Sequence, residues 1–175
     1  GRTLPGQRQV KRVVCEMGGK NAIVVDDDAD LDEAVHGITK SAFGFAGQKC
    51  SAASRVVVVE AVADALVKRL VEAASSLTLG PAMHPGTAVG PVVDVDAHRR
   101  LLALVNDPGP GAEVLFRASA PPQGLFVPPT LFAVADRAHR LMQDEFFGPV
   151  VAILRVPDFD TALEVANATD YALTG

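Results

Sequence analysis

Residues 55–59 read RVVVV, and this run of β-branched side chains limits the fold more than any other stretch of the chain. A continuous apolar run of this length predicts a strand that is buried on both faces, as in a parallel sheet. Residues 61–77 follow with Val62, Leu66 and Leu70 at helical spacing, which predicts an amphipathic helix. A buried strand joined to such a helix is the repeating unit of α/β folds.

The same alternation of strand and helix patterns continues along the chain. It predicts an α/β fold, specifically a three-layer α/β/α domain with a mainly parallel, twisted sheet. The apolar pair Val13-Val14 is also of the kind that suits a buried strand. The other predicted strands are 22–25, 113–116, 130–134 and 150–156, and the other predicted helices are 31–43, 94–106 and one from Asp158 or Asp160 to about 168.

Composition excludes several classes of function. The 175 residues suit one domain, with 49% hydrophobic and 21% charged residues, as in a soluble globular protein. The net charge of −5 and the lack of a basic cluster argue against nucleic acid and against an anionic membrane surface. No apolar run approaches the ~20 residues that span a bilayer. Two cysteines make no disulfide framework, so we expect a reducing, cytoplasmic setting.

The acidic stretch Asp26-Asp27-Asp28-Ala29-Asp30 has two interpretations. It could be a metal-binding cluster, or a strand-to-helix loop whose aspartates cap the next helix at the positive end of its dipole. The second is favoured because an amphipathic pattern starts directly afterwards. No Cys/His spacing suggests zinc, and we predict no metal site.

The segment GFAGQKCS at 44–51 places Cys50 after a glycine-bearing turn and before a run of small residues. A small molecule could reach a thiol in such a place, which suits a nucleophile. A lone cysteine is, however, more often a small buried hydrophobe. Glu16 lies beside Gly18-Gly19, next to an apolar segment; it suits a general base if it faces a pocket and a solvated turn residue if it does not. Cys15, with apolar flanks, is expected to pack.

Three separated motifs, taken together and in order, resemble one family. EMGGK at 16–20 is similar to the E-L-G-G-K signature of the NAD(P)-dependent aldehyde dehydrogenases, with Met for Leu. FAGQKC at 45–50 resembles their G-Q-x-C motif, and EFFGPV at 145–150 resembles their E-x-F-G-P motif. FVPPT at 126–130 looks like a fourth family stretch. GQKCSAASR and the final DFDTALEVANATDYALTG are most similar to the L-glutamate γ-semialdehyde (1-pyrroline-5-carboxylate) dehydrogenases of proline catabolism, which include the dehydrogenase part of bifunctional proline-utilisation proteins.

The resemblance implies a role for each matching residue. Cys50 would attack the aldehyde, hydride would leave for the nicotinamide, and Glu16 would activate the water that hydrolyses the thioester. Glu145 would bind the nicotinamide ribose and Phe147 would pack beside the nicotinamide of NAD, with NADP not excluded. Met17 and Gly18 would line the same site through their backbone. Ser51 would bind the substrate carboxylate, although a simple turn hydroxyl is an equal alternative.

The resemblance also implies that residues 1–175 are a partial catalytic domain. The dinucleotide-binding domain, the asparagine of the oxyanion site and the oligomerisation arm of the family are not found in the sequence. We therefore expect the 175 residues alone to be inactive, and the parent enzyme to be a homo-oligomer acting on a small aldehyde. The alternatives are another semialdehyde dehydrogenase, a CoA-acylating enzyme, and a non-catalytic relative kept for structure or partner binding.

Overall fold

The computed structural model describes residues 5–9 and 12–174, which contain five strands, five α-helices and one 3₁₀ turn. The strands are β1 (Asn21–Val25), β2 (Ala53–Val59), β3 (Ala112–Arg117), β4 (Thr130–Val134) and β5 (Val150–Val156). The helices are α1 (Leu31–Phe43), α2 (Glu60–Ser75), α3 (Val95–Asn106), α4 (Arg140–Gln143) and α5 (Phe159–Asn167), and the 3₁₀ turn is Gly44–Gly47.

The five strands form one sheet in the order β1-β2-β5-β4-β3. All neighbours are parallel except β3, which pairs antiparallel with β4 at one edge. Consecutive residues of a strand point to opposite faces, and both sets are buried along Val56–Val59 of β2 and along the first five residues of β5. Helices therefore cover both faces of the central strands. The predicted α/β architecture with a mainly parallel sheet is confirmed.

Aspartates begin three of the helices. The side chain of Asp30 accepts hydrogen bonds from the N–H groups of Asp32 and Glu33 at the start of α1. Asp94 and Asp158 cap α3 and α5 in the same way. These caps satisfy N–H groups that have no partner inside the helix. The interpretation of the acidic stretch as a capping loop is confirmed.

The prediction of a strand at Val13-Val14 is wrong. Residues 12–20 contain no regular secondary structure, and the two valines are 61% and 84% exposed. Within the described residues β1 pairs only with β2, so the valine pair has no neighbouring strand to supply hydrogen bonds. The expectation that Cys15 packs is wrong for the same reason, since its side chain is exposed. None of the described helices is long and apolar enough to cross a membrane.

Candidate active site

The three sequence motifs meet at the amino ends of three neighbouring parallel strands. Gly19 comes just before β1, Cys50 just before β2 and Phe147 just before β5. The strands run in register, with Asn21 opposite Ala53 and the start of β2 opposite the start of β5. The parallel sheet therefore brings together residues that are far apart in the sequence.

A left-handed turn leads into Cys50. Phe45, Ala46 and Gly47 have φ values of 58°, 54° and 68°, a region that is strained for the two non-glycine residues. A Cβ on Gly47 would overlap the carbonyl oxygen of Gly148, and would lie 2.6 Å from its carbonyl carbon and 2.9 Å from the oxygen of Ala42. The turn is therefore pressed against the loop before β5, and only glycine fits.

Cys50 itself is exposed, so its thiol is accessible from solvent. It lies in a tight turn in which the N–H of Ala52 donates to the oxygen of Lys49 at 3.0 Å. Ser51 is exposed in the same turn, directly beside the thiol. The interpretation of Cys50 as a small buried hydrophobe is wrong.

Asn21 fixes the backbone of the Cys50 turn. Its Nδ2 donates to the carbonyl oxygen of Cys50 at 2.7 Å and to that of Ala52 at 2.9 Å. Gly19 lies against the same carbonyl, because a Cβ there would overlap the Cys50 oxygen. We did not predict a role for Asn21. The available signal was an amide side chain at the first position of an otherwise apolar strand.

Glu145 is tied to the glycine pair of the first motif. The N–H of Gly19 donates to its Oε1 at 3.1 Å. A Cβ on Gly18 would overlap Oε2 of Glu145 and would lie 3.0 Å from the ring of Tyr171. Glycine at position 18 therefore leaves room for the carboxylate, which remains partly accessible.

Phe147 stands at the mouth of an apolar cavity of about 680 Å³. Its φ of 56° is in the left-handed region, and its side chain is 41% exposed. Gln48 ties the Cys50 turn to the far wall, since its Oε1 accepts from the N–H of Val93 at 2.8 Å and its Nε2 donates to the oxygen of Pro91 at 3.4 Å. The cavity lies between the Cys50 turn and the loop around Pro91.

Glu16 and Met17 precede the glycine pair in an exposed segment that has no regular secondary structure. The Glu16 carboxylate makes no hydrogen bond or ion pair with another residue of 5–9 or 12–174. Its segment reaches the site through Gly19, which touches both Cys50 and Glu145. The structure thus brings the backbone of the Glu16 motif to the cysteine turn, while the exposed Glu16 carboxylate has no partner among the described residues.

Two buried cations lie behind the site. Burial, followed by the charge of Arg55, lowers the pKa of Lys20 to about 7, while Asp144 and Glu145 act in the opposite direction. Burial also lowers the pKa of Arg55 to about 10. Arg55 donates to the carbonyl oxygens of Lys20 (2.8 Å) and Val165 (3.1 Å), so it anchors the start of β1 to α5.

The lowered pKa of Lys20 predicts a dependence of stability on pH. Between its ordinary pKa of 10.5 and about 7, the unfolded chain binds a proton at this lysine that the folded chain does not. Folding stability of the wild type should therefore rise with pH across that window, by about 1 kcal/mol per pH unit from this group. In urea unfolding, the difference in free energy of unfolding between the wild type and Lys20→Met should shift in favour of the wild type from pH 7 to pH 9.5. An equal difference at both pH values would contradict this assignment.

The aldehyde dehydrogenase family profile matches residues 3–175, nearly the whole sequence. The chain belongs to the aldehyde dehydrogenase family. This agrees with the three sequence motifs, which lie together at the amino ends of β1, β2 and β5. Among curated aldehyde dehydrogenases, the chain is 46% identical over 172 residues to the 1-pyrroline-5-carboxylate dehydrogenase of Geobacillus kaustophilus (98% of this chain and 33% of the relative). The identity is the same over the same shares with the 1-pyrroline-5-carboxylate dehydrogenase 2 of Bacillus subtilis.

Solved structures of aldehyde dehydrogenases share this fold. Proline utilization A from Bdellovibrio bacteriovorus superposes with a TM-score of 0.92 at 52% identity, over 98% of this chain and 18% of that one. The 1-pyrroline-5-carboxylate dehydrogenase from Thermus, solved with bound NAD, gives 0.89 at 41% identity, over 100% of this chain and 34% of that one. The chain spans about a third of the length of the curated relatives it matches.

Proposed function

We propose that this chain carries the nucleophile and the general base of an NAD-dependent dehydrogenase that oxidises L-glutamate γ-semialdehyde to L-glutamate. The observation that carries the proposal is the meeting of the Cys50 turn, the glycine pair after Glu16 and the Glu145 loop at one edge of the sheet. Similarity to 1-pyrroline-5-carboxylate dehydrogenases supports the substrate. Two exposed free thiols favour a reducing, cytoplasmic setting.

Cys50 starts the reaction as the thiolate, whose sulfur attacks the aldehyde carbon and forms a C–S bond. The carbonyl oxygen gains negative charge, and hydrogen-bond donors must stabilise it. The backbone N–H of Cys50 suits that role because it has no partner among the described residues. Asn21 holds the carbonyl of the same residue, which fixes the direction of the turn.

Glu16 then completes turnover. Once the aldehyde carbon has lost its hydride, the substrate is a thioester on Cys50. The Glu16 carboxylate takes a proton from water as the oxygen attacks that carbonyl, and the C–S bond breaks to release the carboxylic acid and the thiolate. The Glu16 carboxylate is exposed and therefore accessible to water.

The residues around Glu145 fit a nicotinamide dinucleotide. Glycine at position 18 leaves the space that a Cβ would fill beside the Glu145 carboxylate, so that two ribose hydroxyls could donate to it. Phe147 offers an exposed ring, and Met17 and Gly18 offer backbone. When bound, NAD supplies the acceptor for the hydride. The presence of NAD in the Thermus relative supports NAD as the cofactor.

Ser51 is the residue that we propose to recognise the substrate carboxylate. Its hydroxyl is exposed next to the nucleophile, where it can donate a hydrogen bond to an acidic semialdehyde. A substrate with a carboxylate would then be held with its aldehyde close to Cys50, which favours the attack by proximity.

The proposal is tested with the intact protein, meaning the natural polypeptide that contains these residues. With NAD and L-glutamate γ-semialdehyde it should form NADH and L-glutamate in equal amounts, without coenzyme A. Turnover that requires coenzyme A and yields a thioester product would instead indicate a CoA-acylating enzyme. No NADH, together with a Cys50 that an alkylating reagent leaves unmodified at neutral pH, would indicate a non-catalytic relative.

The 175 residues expressed alone should not release NADH steadily, because they cover about a third of the length of the relatives. Steady NADH production by the purified 175 residues would contradict this expectation.

A further inference from the structure

Lys20 is a buried cation whose ammonium has no hydrogen-bonding partner in the part of the chain that the structure describes. Its side chain is 2% exposed, and its Nζ makes no hydrogen bond to another described residue. Burying an unpaired ammonium costs free energy, and such groups are rare unless another interaction offsets the cost. The proposed reaction does not use this lysine, so its position calls for a different explanation.

The Lys20 ammonium faces the loop that carries Glu145. Nζ lies 4.9 Å from the centre of the Phe146 ring, within range of a cation–π interaction. The guanidinium of Arg140, on α4, lies 5.4 Å from the same ring, so two cations contact Phe146. The carboxylates of Asp144 and Glu145 both favour the charged lysine, by raising its pKa.

Lys20 and its neighbour hold successive residues of one loop. The N–H of Gly19 donates to Glu145, and the ammonium of Lys20 contacts the ring of Phe146. Arg100 fixes the carbonyl of Phe146 through a hydrogen bond of 2.7 Å. The loop before β5 is thus held at its carboxylate, its ring and its backbone.

We propose that Lys20 is a positioning residue, whose ammonium against the Phe146 ring keeps Glu145 where it can bind the ribose of NAD. This rests on the proposed function, because that function gives Glu145 its ligand. The charged lysine holds the ring and is attracted to the two neighbouring carboxylates, and the neutral lysine does neither. Since burial lowers the pKa of Lys20 to about 7, affinity for NAD should be high below pH 7 and fall as the pH rises through that value.

Two other cations face this group. Burial lowers the pKa of Arg55, behind Lys20 on β2, only to about 10, which is above the pH range of the test. Arg140, on the far side of the ring, carries a guanidinium rather than an ammonium. If the affinity of the wild type for NAD falls near pH 7 and this fall is absent from the Lys20 variants, it would therefore be assigned to this lysine.

The test measures the Kd for NAD by calorimetry, without aldehyde, from pH 6 to 9, and kcat at saturating NAD. The intact wild type is compared with Lys20→Met, Lys20→Arg and the control Lys68→Met, which changes an exposed lysine of α2. Wild type and control should lose affinity about tenfold across the range, as expected for one cation–π contact. Lys20→Met should bind weakly at every pH and Lys20→Arg tightly at every pH, and the control Lys68→Met should keep the kcat of the wild type.

The following results would each overturn the inference. One is a wild-type Kd that does not change from pH 6 to 9, and another is a Lys20→Met protein with wild-type affinity at pH 6. If Lys20→Met does not fold, the profile of Lys20→Arg decides, and a fall in its affinity near pH 7 contradicts the role. If the wild type binds no NAD, both the proposed function and this inference are overturned. If the wild type binds NAD and is active, and the Lys20 variants bind NAD as the wild type does, only the inference is overturned.

Discussion

Cys50→Ala is expected to abolish aldehyde oxidation by the intact protein, with a loss of about 10³-fold or more in kcat. Alanine removes the sulfur that forms the bond to the aldehyde, and no other group of the turn can replace it. The change is small in volume and the residue is exposed, so the fold should be kept. The measurement is NADH formation with L-glutamate γ-semialdehyde, together with the thermal unfolding temperature.

Cys15→Ala is the matched control, since it removes the second exposed thiol of the chain. It should keep activity within about twofold, because the side chain of Cys15 is exposed and has no role in the proposed reaction. If activity survives in Cys50→Ala and disappears in Cys15→Ala, the nucleophile would be Cys15 and not Cys50. Equal loss in both would point to general damage rather than to chemistry.

Gly47→Ala is expected to destabilise the fold by about 3 kcal/mol or more. The new Cβ would overlap the carbonyl oxygen of Gly148, and the backbone of Gly47 has a φ of 68°, which strains any other residue. Backbone atoms cannot move aside as a flexible side chain can, so the turn before Cys50 must shift. Urea unfolding monitored by circular dichroism gives the free energy of unfolding, and activity should fall with it.

Gly37→Ala provides the opposite expectation for the same chemical change. Gly37 lies inside α1, is exposed, and has nothing within 4 Å of the position of its Cβ. Alanine there should stabilise the protein by about 0.5–1 kcal/mol, because glycine loses more backbone entropy in a helix. A Gly47→Ala variant as stable as Gly37→Ala would show that the left-handed turn is not constrained as described.

Periodicity predicted most of the elements closely. The helix expected at 31–43 is α1, and the strands expected at 130–134 and 150–156 are β4 and β5, with the same bounds. These segments succeed because burial in the sheet or against it agrees with the local pattern. Val13-Val14 fails because strand propensity without a neighbouring strand does not make a strand.

The sequence predicts candidate residues for the site but not where on the sheet they lie. Ligands of open parallel sheets usually bind at the carboxyl ends of the strands, whereas Cys50 and Glu145 lie at the amino ends. That choice depends on strand order, which no local pattern contains. The supporting contacts of Asn21 and Lys20 could not be predicted because their partners are distant in the sequence. The partner of Asn21 is about 30 residues away, and that of Lys20 is more than 120 residues away.

The left-handed conformations of Phe45, Ala46 and Phe147 could not be predicted either. None of these residue types favours a positive φ, so their conformation follows from tertiary packing alone. Such strain is concentrated at functional sites, where the surrounding structure holds it. Here Phe45 and Phe147 line the apolar cavity, and Phe45 and Ala46 lie in the turn that leads into Cys50.

The division of work between Cys50 and Glu16 is tested most directly by one measurement on Glu16→Gln. The variant is mixed with NAD and L-glutamate γ-semialdehyde, quenched in acid, and mapped by peptide mass spectrometry. We predict about one NADH per chain and then no more, with the acyl group of the substrate on Cys50, because the amide cannot activate the hydrolytic water. Continued NADH formation at the wild-type rate, or an acyl group on any residue other than Cys50, would contradict the account.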